Sequence, residues 1–167
     1  AKKKNKKGVA EIAAHLWDPN ANVRSDCLKV LYEIGYLDPK LIAPYAGDFL
    51  KLLDDKTNRM VWGAMIALGT VAGLRPKAIA PRTERIEELV YTGSVITVVW
   101  GVRVLSKVAA SAPALKKKIY PFLLDYLGKS IPRDVPLHAE SMLPLVGPRE
   151  RNAFLAQLRQ REPEMSA

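Results

Sequence analysis

Shifted by 37 residues, most of this chain superposes on itself, and that offset limits its folds more than any other feature. Pro39, Pro76 and Pro113 fall in one column, followed by Phe49, Ile86 and Leu123, and then by Leu53, Val90 and Leu127. A second set begins with Val23, Met60 and Thr97 and continues with Cys27, Ala64 and Gly101. It goes on through Val30, Ala67 and Val104, then Leu31, Leu68 and Leu105, and ends with Ile34, Val71 and Val108. Apolar residues at these intervals make one stripe of an α-helix. The recurring small side chain at Cys27, Ala64 and Gly101 marks a close crossing. Each unit therefore reads as a helical hairpin: a first helix opened by proline, a polar turn and a second helix.

Local chemistry supports the hairpins. Asp38 before Pro39 places an N-cap ahead of a proline in the first helical turn, and Ser94 can cap the helix through Trp100. Gly73, Gly128 and Gly147 fall where helices should stop. The patterns predict helices near 9–17, 22–35, 40–54, 58–72, 78–91, 94–110, 114–128, 134–146 and 149–161, and no strand. The β-branched run from Val95 to Val104 is placed on a helix by the repeat register.

Composition narrows the class of protein. The 167 residues are 49% hydrophobic and 26% charged, enough to bury a core. The longest uncharged apolar run, Val95 to Val102, is far too short to span a bilayer. After the first lysines, Val9 to Trp17 carries Glu11 and His15 where a secretory signal would be apolar. Cys27 is the single cysteine, so neither an internal disulfide nor a multi-cysteine zinc site is expected, and the compartment expected is a reducing cytoplasm. The net charge is +9, but five cations, Lys2, Lys3, Lys4, Lys6 and Lys7, sit in the first seven residues. The remainder holds 21 cations against 17 acids, only +4. The expected organisation is a flexible lysine-rich arm over 1–8, one repeat domain over 9–161 and a tail over 162–167. The arm suits phosphate contact, or it is simply a solvated extension. Lys116 to Lys118, Arg149 to Arg151 and Arg159 to Arg161 read as exposed helix faces.

The chain resembles HEAT-repeat proteins of the short-repeat prokaryotic type. The residues that carry the likeness run Leu16-Trp17-Asp18-Pro19-Asn20-Ala21-Asn22-Val23-Arg24, then Ser25-Asp26-Cys27-Leu28-Lys29-Val30-Leu31-Tyr32-Glu33-Ile34-Gly35. They are similar to the family pattern of an Asp, a turn, Val-Arg, a small residue, then Leu and Gly. Leu52 to Asp55 with Ala64, Ala67, Leu68 and Gly69 repeats it. The third unit departs, with Thr92 in the Asp column and Val98 in the Arg column; Val61 already replaces that Arg in the second. The fourth fits with a one-residue shift that puts Ala139 in the small position. The resemblance implies an all-α, right-handed α-solenoid of about four HEAT-like helical hairpins acting as a scaffold or adaptor through its concave face. It also makes Cys27 a core residue.

Opposite the apolar stripe, the second helices present Ser25, Lys29 and Tyr32, then Trp62, Ile66 and Gly69, then Val99, Arg103 and Ser106. Asp26, Gly63, Trp100, Glu33, Thr70 and Lys107 flank them. Two tryptophans on a face that a plain solvated helix would make polar either mark a partner site or pack against the adjacent repeat or a terminal segment. An open groove bearing Lys29, Tyr32, Trp62, Ile66, Trp100, Arg103 and Lys107 would take a protein or peptide with apolar anchors and acidic flanks. Nucleic-acid binding is the alternative, with the arm and the concave cations on phosphates and tryptophans on bases. A more distant one is a DNA-glycosylase-like HEAT enzyme using Asp26, Trp100 and Arg103. His15 and His138 have no metal-ligand spacing, and no phosphate loop or nucleophile elbow occurs, so neither metal, cofactor nor catalysis is expected.

Overall fold

In the computed structural model, which describes residues 5–165, the chain is all-helical, with no strand among the described residues. The α-helices are α1 (Lys6–Ala14), α2 (Ala21–Leu37), α3 (Pro39–Ile42), α4 (Ala46–Leu52), α5 (Asn58–Val71), α6 (Pro76–Ile79), α7 (Thr83–Thr92), α8 (Val95–Ala110), α9 (Pro113–Lys129), α10 (Val135–Met142) and α11 (Arg151–Met165). Short 3-10 turns at Ala43–Tyr45 and Ala80–Arg82 separate α3 from α4 and α6 from α7. The sequence pattern reads each of these pairs as one helix. Pro44 and Pro81 explain the break: each lacks the N–H for an i−4 bond, and its ring crowds the carbonyl there. The third unit has Lys118 in that column, and α9 runs on as one helix, with Pro121 inside it.

The hairpins pack in sequence order. α2 lies against α5, α5 against α8 and α8 against α10, making a row of second helices. The first helices back them, with α4 on α5, α7 and α9 on α8, and α11 on α9. The columns Phe49/Ile86/Leu123, Leu53/Val90/Leu127 and Leu31/Leu68/Leu105 are buried throughout. At Gly101 an added Cβ would stand 2.7 Å from Val90 Cγ2, so the small column faces the first helix of its own hairpin.

The turns carry the expected chemistry. Asp18 Oδ1 accepts from the Asn20 N–H at 2.8 Å, and Asp55 Oδ1 accepts from the Thr57 N–H at 2.8 Å, one repeat later. Thr92, in the same column, instead donates its hydroxyl to Glu88 O, and Ser94 caps α8. Arg24 Nη1 reaches Asp55 at 3.7 Å, a rung between the first two hairpins. Further rungs join first helices: Arg85 Nε donates to Asp54 at 2.9 Å, Lys118 Nζ to Glu84 at 3.0 Å and Tyr91 Oη to Asp125 at 3.1 Å.

Several expectations change. Lys6 and Lys7 belong to α1, whose N-cap Asn5 accepts from the Gly8 N–H at 2.9 Å, so helix starts inside the stretch read as a flexible arm. Lys2, Lys3 and Lys4 lie outside the described residues. Residues 162–165 continue α11 rather than forming a tail. Cys27, Val23 and Ile34 are half-buried and Val30 is 44% exposed, so the stripe expected to be buried is only partly covered in the first unit. Burial and then the neighbouring Asp18 and Asp26 push the Cys27 thiol up, away from thiolate.

Gly128 is not a stop signal but lies inside α9, where a Cβ would meet Gln157 Nε2 of α11. Arg161 is not on an open face. It donates from Nη1 to Gly128 O at 2.9 Å and from Nη2 to Ser130 O at 2.6 Å, fastening α11 to the C-terminal end of α9.

A candidate binding face on the second helices

The register brings four aromatic rings together along α2, α5 and α8. Trp62 meets Tyr32 at 6.3 Å between centroids, Tyr32 meets Tyr36 at 6.1 Å edge to face, and Tyr36 meets Trp100 at 5.8 Å. These separations suit edge-to-face and tilted pairs. The chain ends in a cation: the Arg103 guanidinium lies 4.8 Å from the Trp100 ring centre.

The contact between Tyr36 on α2 and Trp100 on α8 bridges α5, and glycine makes it possible. Trp100 lies across Gly69, where an added Cβ would fall 2.3 Å from Cε3 and 2.7 Å from Cζ3. A rigid indole cannot give way as a flexible side chain could. Gly69→Ala is therefore expected to displace Trp100, separate it from Tyr36 and cost about 1–3 kcal/mol, read by thermal unfolding and tryptophan near-UV circular dichroism. Gly47→Ala, with nothing within 4 Å of the new methyl, is expected to be neutral or stabilising by up to about 1 kcal/mol.

Beyond Trp100 the face opens into a hollow of about 380 Å³ lined by Trp100, Arg103, Lys107, Glu140, Ser141 and Pro144. Lys107 Nζ donates to Gly69 O at 2.6 Å, placing its charge at the C-terminal end of α5, where a cation is favoured. Burial, and after it the charge of Arg103, holds the Lys107 ammonium below the usual lysine range.

Of the residues expected to make a groove, Trp62, Trp100 and Arg103 are half-buried and Lys29 and Lys107 are exposed. Tyr32 and Ile66 are buried, at 8% and 6% exposure, so they support the face from beneath and Ile66 offers a partner no surface. The tryptophans pack on neighbouring second helices, and each keeps part of its surface exposed. Tyr36, at 49% exposure, is the element sequence reasoning missed. Its column continues as Gly73 and Ala110, so no repeat pointed to it.

Asp26, Trp100 and Arg103 do not form one site. Asp26 pairs with Arg59 at 4.0 Å and lies ten residues along α2 from Tyr36, the residue Trp100 touches, or about 15 Å of helix. Among the described residues no group of three or more His, Cys, Asp or Glu could hold a metal ion. No helix among them is long and apolar enough to cross a membrane.

No family model matches the chain, and no curated protein matches it. Solved structures do. The crystal structure of an engineered protein from the Northeast Structural Genomics Consortium matches with a TM-score of 0.70 over 90% of this chain and 68% of that one, at 19% identity. At that identity the likeness is one of all-helical fold.

Proposed function

We propose that this chain is a HEAT-like, right-handed α-solenoid of about four hairpins that binds a protein or peptide partner through the face of its second helices, without catalysing a reaction. The architecture is supported by the 37-residue columns, three of which are buried in every unit, and by contacts running from each hairpin to the next. Such arrays use their curved inner face for recognition.

The observation that carries the functional reading is the aromatic chain Trp62, Tyr32, Tyr36, Trp100, which leads into a hollow rimmed by Arg103 and Lys107. Aromatic and arginine side chains dominate binding energy where they can be desolvated together. Nucleic acid fits this face less well. Lys29, Arg59, Arg103 and Lys107 share it with Asp26, Glu33 and Glu140, which would repel a phosphate backbone.

Selection of random dodecapeptides displayed on phage against the full chain tests the reading. Enriched peptides are expected to bind Trp17→Ser unchanged and to lose tenfold or more in affinity with Trp100→Ser. Labelled single- and double-stranded oligonucleotides, titrated at two salt concentrations, are the second arm. Peptide binding indifferent to Trp100, or oligonucleotide binding that survives high salt and quenches tryptophan, would overturn the proposal.

A further inference from the structure

The hollow beside Trp100 does not end at Lys107. A second hollow of about 310 Å³ adjoins it, lined by Gly73, Ser106, Ser111 and Ser141, with Lys107, Ser141 and Pro144 shared between the two. Ser106 is 3% exposed, and its hydroxyl has no hydrogen-bond partner. A buried hydroxyl left unpaired costs free energy that a ligand oxygen or a bridging water would recover.

The charges around it are specific. Arg103 and Lys107 are positive, Glu140 lines the same wall, and no ion pair joins any of them to another residue among those described. The Arg103 guanidinium carbon lies 4.8 Å from the Trp100 ring centre, and no hydrogen bond or ion pair to another described residue engages its N–H donors, which leaves them for a ligand; a guanidinium pairs bidentately with a carboxylate. Lys107 Nζ spends one of its three N–H donors on Gly69 O. Two cations and one carboxylate leave a single net positive charge, which a singly charged carboxylate balances. A dianionic phosphate would meet Glu140 with charge to spare.

Because open space continues on both sides of Lys107, a chain can pass over it. On that basis, and resting on the peptide-binding reading above, we propose that the two hollows form one anchor subsite for an internal Asp or Glu of an extended peptide segment. Its carboxylate lies between Arg103 and Lys107, and the neighbouring residue towards α2 is apolar or aromatic, lying on Trp100 and Tyr36. The acid fixes register and the aromatic contact supplies buried area.

The test uses the dodecapeptide selection on the full chain, followed by anisotropy titration of a fluorescein-labelled copy of the most enriched sequence. Enriched sequences are expected to share an internal acid beside an apolar residue. Changing that acid to its amide should weaken binding at least tenfold, and amidating the peptide's C-terminus should change it less than twofold. Arg103→Gln and Lys107→Gln should each remove the preference for acid over amide while the protein keeps its helical circular dichroism, Lys107→Gln also lowering the melting temperature because its bond to Gly69 O is lost. Arg103→Glu should restore binding to a peptide carrying Lys at the acid position.

Phosphoserine at that position should bind no better than the acid. Tighter binding by phosphoserine would overturn the carboxylate assignment, as would sequences enriched without an acid or bound equally by Arg103→Gln. If those acid-independent peptides still depend on Trp100, the groove stands and the anchor falls. If they ignore Trp100, or if none is enriched, both fall.

Discussion

Arg161→Ala is expected to cost about 3 kcal/mol and to loosen α11 before the rest of the chain unfolds. The Arg161 side chain is 15% exposed, and its guanidinium makes two charge-assisted hydrogen bonds, to Gly128 O and Ser130 O. Both carbonyls lie at the C-terminal end of α9, where helix geometry leaves acceptors unsatisfied and a positive charge is favoured. Hydrogen bonds to a charged group contribute about 1.5–3 kcal/mol each, and both are lost together. Arg161 also pairs with Glu164 at 3.1 Å, within α11, but that contact is close to the surface and adds little. Arg161→Lys should recover only part of the loss, because an ammonium cannot span two carbonyls with a planar fork. Thermal unfolding measures the cost, and amide exchange should show α11 opening first. A melting profile and α11 protection unchanged by Arg161→Ala would contradict this account of the C-terminal helix.

A larger effect of pH is expected at His138. This imidazole is 1% exposed at the packing of α10 against α8 and α9, and both of its ring nitrogens lack a hydrogen-bond partner. Tyr126 of α9 meets it edge to face at 5.6 Å. Burial holds its basicity below the ordinary histidine range; Asp134 opposes the shift and Arg103 on α8 adds to it. The unfolded chain takes a proton on this residue as pH falls through about 6.5, while the folded chain resists. The unfolded state then binds more protons, so stability drops on acidification. The contribution is complete above about pH 6.5 and is lost below it, at up to about 1.4 kcal/mol for each pH unit.

His138→Leu, of similar size, removes both the titration and the two unpaired nitrogens. It should raise stability at pH 7 by about 1 kcal/mol or more and flatten the profile between pH 5 and 6.5. Denaturant unfolding of both proteins across that window measures this, and parallel profiles would count against it.

These two residues show where sequence reading stops. The all-helical character, the hairpin boundaries, the Asp38 and Ser94 caps and the three fully buried columns are local or periodic, so they stand in the sequence. Arg161 looked like part of a solvated face because its partners are backbone carbonyls more than thirty residues away, which no side-chain pattern records. Gly128 read as a helix stop although it is a crossing point for Gln157. The second-helix face was legible as a set of columns, from which Trp62, Trp100, Arg103 and Lys107 emerge. Which of them keep surface depends on depth. Ile66, in the Arg103 column, and Tyr32, in the Gly69 column, belong to the same face but are buried, whereas Tyr36 projects at a helix end where no repeat drew attention to it. The two hollows around Lys107 depend on α10 meeting α8, and the fourth unit is the one whose register slips.

The most direct measurement is the amide and indole spectrum of the full chain labelled at its three tryptophans, recorded while a selected dodecapeptide is added. Trp17 lies in the turn after α1, with Lys51 Nζ 5.8 Å from its ring, and serves as the internal control. Binding at the second-helix face predicts that the Trp62 and Trp100 indole signals shift with increasing peptide, Trp100 most, while Trp17 stays in place. Movement of Trp17 with Trp62 and Trp100 unmoved would contradict the claim.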